Sequence, residues 1–363
     1  MGILHLVDID PLTSGPCLHH LVGECLQVLP GHEHVVMEVG AGPRMQGDLP
    51  CSQGRIPGNE SHLSRGRHPV SGVLDTWEKR WGSPCLVHAW GPASVELATR
   101  WAGGYPCLGT LDAFDCSSSF IDLLRAEPAM HMVCTSRGAL NRAMASGLPE
   151  SSCSELVPCL SRDQAPDAGR LRERWEAGDD TIVFAAMGEP ASWTNLKELA
   201  NVAGRFGLLG HDVRLLADPS FDRFEEALHW MELVGLQDVI RIEPAVSRPW
   251  QLQGAIDAVL LDGHASHRTR VAGSCHLHWA LDNHVPVLLG NGHPAVTEVN
   301  DRGGAWFELD AFLHELPVLL REASVPADNA SSRGGDPASW AAVNNQYERM
   351  ASGEPANSTA APR

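Results

Sequence analysis

The sequence predicts an α/β protein made of two doubly wound, Rossmann-like parallel-sheet lobes, and three observations carry the prediction. Apolar runs of strand length alternate with helical apolar patterns along most of the chain, as in parallel sheets with helices on their faces. The alternation is interrupted once, by a polar and charged stretch at 161–178, and then starts again. The length of 363 residues suits two domains, and a hydrophobic content of 43% suffices for two cores. The predicted organisation is a first lobe at 1–162, a second at 163–325, a linker and helix at 326–350, and a polar tail at 351–363 whose composition predicts disorder.

In the first lobe, residues 3–7 read as a buried strand, and Leu18, Leu21, Val22, Cys25, Leu26 and Leu29 recur at helical spacing after it. Ser14 or Gly15 can cap that helix and Pro16 suits its first position. A helix N-terminus directly behind a strand offers free N–H groups to an anion, so Ser14 and Gly15 are either an ordinary capped turn or a phosphate contact. Residues 35–39 form the next strand. The stretch 40–83 is rich in Gly, Pro, Ser, His and Arg and shows little periodicity, which predicts a long irregular segment. Its Arg55, Arg65 and Arg67 read as surface or as substrate-phosphate contacts.

A strand at 85–90 carries His88 and precedes a helix through Val95, Ala98 and Trp101. Ligands of open α/β sheets gather at the carboxyl ends of strands, which makes His88 a candidate site residue, with a packed histidine as the competing reading. The strand at 106–111 ends at Asp112, and Asp112 and Asp115 are candidate substrate contacts. A strand at 130–134 and a helix at 136–146 follow; Ser136 reads as a cap and Arg137 as a possible ligand contact.

The second lobe predicts strands at 181–185, 213–217, 239–242, 258–261 and 285–289, with the clearest helix through Leu196, Leu199, Ala200, Ala203 and Phe206. The segment 262–274, with His264, His267, Arg268 and Arg270, reads either as an exposed polar loop or as a phosphate site, for which the guanidinium fork is well suited. His276 and His278 join two of these histidines in number, but no carboxylate or cysteine completes a zinc-ligand spacing, and no metal site is predicted. A helix at 309–323, a polar linker at 324–337 and a final helix with Trp340, Val343, Tyr347 and Met350 on one face close the pattern.

A formal charge of −18 argues against nucleic-acid or anionic-lipid surfaces, which need clustered Lys and Arg. Ten cysteines are scattered without paired or metal-ligand spacing, so a reducing, cytoplasmic setting is expected. No signal peptide and no transmembrane segment are expected either, since no run approaches 18 apolar residues.

The run from Trp279 to Gly290, with Ala280, Leu281, Pro286 and Val287, resembles the helix–turn–strand in the C-terminal half of GT-B glycosyltransferases of the retaining family-4, or group 1, type. Elsewhere the succession Cys134-Thr-Ser136-Arg137, Gly147-Leu-Pro149 and Leu156-Val-Pro158 resembles the same family, and the resemblance spans about residues 3–350. It implies two Rossmann-like domains facing a cleft and a C-terminal helix that crosses back to the N-terminal domain. It also implies metal-independent transfer of a sugar from a nucleotide-sugar, used as substrate and not as cofactor, to a glycan, lipid or small-molecule acceptor. By matching positions, His88 and Asp112 fall near the reacting sugar. Ser14, Gly15 and Gly188 fall in the phosphate loops and Glu298 on the donor, and Lys197 joins them under a shifted alignment. His264, His267, Arg268 and Arg270 stand in the donor loop where the family's glutamate is missing, Arg268 and Arg270 being read as replacement phosphate contacts.

The sequence departs from the family at four places: Asp112 stands for a histidine, Glu189 for an arginine, Trp193 or Thr194 for a lysine, and Trp279 for a glutamate. The alternative reading is therefore a catalytically inactive GT-B homologue that binds a sugar, a nucleotide or a partner protein. A nicotinamide enzyme is disfavoured, because neither lobe has G-x-G-x-x-G after its first strand.

Overall fold

A computed structural model describes residues 2–9, 16–29, 31–40, 52–56, 75–76, 78–101, 104–111, 130–135, 137–156, 167–187, 196–219, 221, 223–261, 274–289, 296–301, 306–308, 341, 344–345 and 347–350. The chain forms two compact units: unit 1 is Met1–Cys159 with Asp336–Arg363, and unit 2 is Leu160–Gly335. The expected helix at 309–323 and the tail at 351–363 lie outside the described residues. No helix among the described residues is long and apolar enough to cross a membrane.

Unit 1 holds a seven-stranded sheet in the order β3-β2-β1-β4-β5-β6-β7. Its strands are β1 (Ile3–Asp8), β2 (His34–Val39), β3 (Ser52–Ile56), β4 (Leu86–Trp90), β5 (Cys107–Leu111), β6 (Met130–Cys134) and β7 (Cys153–Glu155). Every pairing is parallel. The chain starts in the middle, winds out through β2 and β3, then returns to build the other half from β4. Its topological switch therefore lies between β1 and β4. The helices are α1 (Pro16–Val28), α2 (Pro92–Trp101) and α3 (Arg137–Ala145).

Unit 2 repeats the plan with six strands in the order β10-β9-β8-β11-β12-β13. They are β8 (Ile182–Met187), β9 (Val213–Ala217), β10 (Ile240–Ile242), β11 (Ala258–Leu261), β12 (Val287–Leu289) and β13 (Trp306–Glu308). These pairings are also parallel, and the switch lies between β8 and β11. Its helices are α4 (Ala168–Arg174), α5 (Leu196–Leu208), α6 (Phe224–Leu233), α7 (Ser274–Asp282) and α8 (Val296–Asp301). Helix α7 ends in a Schellman-type turn: Val285 N–H donates to Ala280 O at 2.8 Å and His284 takes φ 54°. Pro286 has no N–H, and β12 accordingly begins one residue after it, later than the run from Val285 suggests.

Three strands are not apparent in the sequence. β3 falls inside the stretch expected to be irregular, and β7 and β13 carry no apolar run. All three lie at sheet margins, where a strand has at most one fully covered face and the continuous apolar signal of a buried parallel strand is not required.

The two faces of the unit 1 sheet differ. Leu4, Leu6, Val35, Met37, Val87, Ala89 and Met132 form one layer, packed with Val95, Leu97 and Ala98 of α2 and Ala139, Leu140 and Ala143 of α3. On the opposite face, register sets His5 beside His88, Thr110 beside Trp90 and His131 beside Leu108. That face is met by Cys25 of α1 and by Tyr347 of the C-terminal segment, both fully buried. The terminal segment, helical at 347–350, thus returns to the sheet of the N-terminal residues.

In unit 2, β8 and β11 are wholly apolar, and several paired charges gather near the amino ends of the strands. Asp257 accepts from Val183 N at 2.7 Å and from Arg172 Nη1 at 3.2 Å, and Arg172 also donates to Thr181 O at 2.6 Å. Arg214 donates to Trp175 O at 3.1 Å and to Asp212 at 2.6 Å. Glu243 accepts from Trp175 Nε1 at 2.9 Å and is paired with Arg174. Arg172 and Arg214 thus fasten the α4 end of the chain to the amino ends of the strands, and Glu243 fastens it from one residue past β10.

Candidate functional site

The sequence candidates divide between the two units. In unit 2, β8 ends at Met187, β11 at Leu261 and β12 at Leu289, at or beside the topological switch where open α/β sheets take ligands. The residues that follow in sequence include Gly188, Glu189, Trp193 and Thr194, then His264, His267, Arg268 and Arg270; all lie outside the described residues. Lys197 is described: it is the second residue of α5, and its ammonium lies 3.3 Å from Glu226 of α6. Glu298 sits within α8, with its side chain outside the description. Trp279, at the position where the resemblance expects a glutamate, is buried within α7. His276 and His278 of the same helix are buried as well.

In unit 1, Ser14, Gly15, Arg65, Arg67, Asp112, Asp115 and Ser136 lie outside the described residues. Arg55 reaches the Gly40 carbonyl at 3.4 Å, and Arg137 pairs with Glu155 at 3.2 Å on the surface. At the switch, the buried Asp8 carboxylate accepts from Ala93 N at 3.3 Å, so the N-terminus of α2 is held by a side chain of the chain itself. The turn into α2 needs Gly91: its φ is 92°, and a Cβ there would stand 2.8 Å from Asp8 Cβ.

His88 is not at the carboxyl end of its strand. It is the third of five residues in β4, fully buried, and Trp90 takes the terminal position. The sequence reading counted the strand end correctly but could not tell which side chain the last turn of pleat would leave there. His88 stacks on the Trp90 ring with centroids 3.9 Å apart. Its Nε2 bonds Thr110 Oγ1 at 2.7 Å, and its Nδ1 makes a short hydrogen bond with the Tyr347 hydroxyl. That hydroxyl also meets Cys25 Sγ at 3.4 Å.

A chain of hydrogen bonds runs beside this cluster. Trp90 Nε1–H donates to His5 Nδ1 at 3.0 Å. An indole nitrogen only donates, so neutral His5 carries its proton on Nε2. That N–H then donates to His34 Nδ1 at 2.9 Å, and His34 Nε2–H donates to Leu29 O at 2.8 Å. Each tautomer is dictated by its neighbour, and every ring nitrogen in the chain has a partner.

The electrostatics agree with neutral rings. Burial holds His5 well below the usual imidazole range, with the charges of His88 and His34 acting the same way. Burial, then His34, does the same for His88. Burial pushes the Cys25 thiol up to about 12 and Tyr347 well above the usual phenol range. His88 at this position is thus a neutral hydrogen-bonding group that ties β4, β5 and the C-terminal segment together.

His5, His34, Cys25 and Tyr347 were not recognised from the sequence as members of one site. The available signal was a polar residue inside an apolar strand run, as in Ile3–Asp8 and Leu86–Trp90; the pairing partners come from residues far along the chain.

Compared by sequence, the chain matches no family model and no curated protein. Compared by structure, it is similar over its whole length to solved proteins. The Anabaena protein HepE in complex with UDP-glucose superposes with a TM-score of 0.66 at 14% identity, covering 97% of this chain and 100% of that one. A glycosyltransferase from Rickettsia africae ESF-5 gives 0.60 at 16% identity, covering 97% and 96%. A Listeria monocytogenes protein assigned as a UDP-N-acetylglucosamine 2-epimerase gives 0.62 at 12% identity, covering 98% of each chain. The fold is therefore GT-B: two parallel α/β units with a C-terminal helix returning to the first. At these identities the likeness extends to the fold and no further.

Proposed function

We propose that the chain is a glycosyltransferase. It moves a sugar from a nucleotide-sugar held by unit 2 to a glycan, lipid or small-molecule acceptor held by unit 1, with retention and with no metal in the transfer step. One observation carries the reading: both units together take the fold of a protein that holds UDP-glucose. The donor is assigned to the carboxyl ends of β8, β11 and β12, where the following residues include Gly188, His264, His267, Arg268 and Arg270. Arg268 and Arg270 offset the charge that develops on the departing diphosphate, in place of the cations absent at Glu189 and at Trp193 or Thr194. Lys197 and Glu298 are assigned to the same donor site, and Ser14 and Gly15 to its phosphates from unit 1.

Asp112 accepts a hydrogen bond from the acceptor hydroxyl. His88 acts through position: it holds Thr110 of β5, two residues before Asp112 in sequence. Cys25, Cys85, Cys107, Cys134 and Cys153 are free thiols, which supports a reducing, cytoplasmic setting.

The rival reading, a non-catalytic GT-B protein, is favoured by Trp279, whose buried indole supplies no carboxylate to a donor. Thermal-shift titration with UDP-, GDP- and ADP-sugars separates the two. Stabilisation by one of them, lost in the Arg268→Ala/Arg270→Ala double variant, is expected. Stabilisation without release of nucleoside diphosphate in the presence of acceptor mixtures would favour the non-catalytic protein. No stabilisation by any of the three at millimolar ligand would overturn the donor site itself.

A further inference from the structure

We propose that His5, Cys25 and His88 form a structural site for a thiophilic transition metal, zinc being the natural occupant, in the core of unit 1. The three side chains come from β1, α1 and β4, are all fully buried, and present ligand atoms within 4.8 Å of one another. Two imidazoles and a thiolate form a borderline-to-soft donor set. Such a set suits zinc or copper and not magnesium or calcium, which take oxygen ligands.

A fourth ligand is at hand. The Tyr347 hydroxyl already bonds His88 Nδ1 and lies 3.4 Å from Cys25 Sγ. The site is thus closed, as structural metal sites are, with four protein groups and no position left for substrate. The outer nitrogens are also supported as metal ligands require. His88 Nε2 is held by Thr110 Oγ1 at 2.7 Å, and His5 Nε2 by His34, which is itself anchored on Leu29 O at 2.8 Å. Those partners fix both rings with Nδ1 as the ligating atom.

Tetrahedral zinc sites with such ligands have edges of roughly 3.3–3.7 Å, so the cluster closes by about 1 Å. Side-chain rotation supplies that movement, because His5 and His88 are already paired in register on adjacent strands. On binding, the Cys25 S–H and Tyr347 O–H bonds break, both protons leave to solvent, and the sulfur and phenolate electron pairs go to the metal. His88 Nδ1 exchanges its hydrogen bond with Tyr347 for the metal. Trp90 Nε1–H gives up its acceptor on His5, a loss small beside the affinity of structural zinc sites. The metal would join β1, β4, α1 and the C-terminal segment at one point, and the assignment is independent of the sugar-transfer reading.

The test uses the full chain purified without chelators. Elemental analysis is expected to find one zinc per chain. Cobalt(II) exchanged into the site is expected to give the visible spectrum of a tetrahedral ion together with a near-ultraviolet thiolate-to-cobalt charge-transfer band. Cys25→Ser abolishes that band, whereas Cys153→Ser leaves it unchanged. Wild-type protein that neither carries zinc nor binds one equivalent of cobalt would overturn the proposal, and this readout stands even if Cys25→Ser fails to fold. A charge-transfer band that persists in folded Cys25→Ser protein would overturn it equally.

Discussion

In unit 1 the polar groups lie under the middle of the sheet: His5, His88, Trp90 and Thr110 share one face, and Tyr347 and Cys25 close over it. In unit 2 the strands β8 and β11 are apolar, and Arg172, Asp257, Arg214 and Asp212 form a charged belt at the amino ends of the strands, with Glu243 one residue past β10. The difference follows from solvation. A charge at the margin keeps part of its hydration and gains a partner, whereas a group under the sheet loses its water, which favours neutral and hydrogen-bonded groups, His131 Nδ1 being an exception. Without a bound ion, unit 1 accordingly holds His5, His88, Tyr347 and Cys25 in their uncharged forms.

The comparison is broken most directly at Trp90. Trp90→Ala removes a fully buried ring and is expected to cost about 3–5 kcal/mol. In protein treated with chelator, where no ion occupies His5 Nδ1, it also leaves that nitrogen without its donor, a further penalty of about 1–3 kcal/mol. Phe184→Ala in β8 opens a cavity in an apolar setting and lacks that second cost. Urea unfolding of the two variants checks the difference. An equal or smaller loss for Trp90→Ala would mean the hydrogen-bond chain contributes nothing.

Acid separates the units next. Burial, with Arg349 nearby, lowers His131 of β6 to about 4 from an unfolded value of 6.5. Between those values the unfolded chain takes up a proton and the folded chain does not, so stability falls as pH drops through this window, by about 3 kcal/mol in all. In unit 2 the Thr181 hydroxyl, then Arg214, holds Asp212 below 3.8, so its contribution is present above 3.8 and fades only below it. Amide exchange during acid titration is expected to show unit 1 losing protection first. Earlier loss in unit 2 would contradict the assignment.

The smallest effect is expected at Lys197, where the ion pair with Glu226 is largely exposed. Lys197→Ala should change stability by no more than about 0.5 kcal/mol. The same variant sharpens the donor site: a reduced thermal shift with nucleotide-sugar keeps Lys197 in it, and an unchanged shift leaves the residue a surface pair.

The alternating apolar runs were sufficient to predict two parallel sheets, because a strand covered on both faces is largely apolar: β8 and β11 are wholly so, and β1, β2, β4 and β9 are interrupted only at His5, Asp8, His34, Glu38, His88 and Arg214. Strands β3, β7 and β13 escaped, since marginal strands are defined by pairing and not by composition. Of the site residues read from the sequence, His88, Lys197, Arg55 and Arg137 have described side chains, and none of these partners is a near neighbour in sequence. Lys197 meets Glu226 from the next helix, and His88 meets a hydroxyl 259 residues away.

The sequence by itself therefore determined the class of fold, the alternation of elements and the buried character of the strands, because these depend on periodicity within a few residues. Tertiary structure alone decided that His5 and His88 stand side by side, that His88 meets Thr110, and that Tyr347 and Cys25 close over them. Strand order and the returning helix bring together groups whose spacing along the chain carries no trace of their contact.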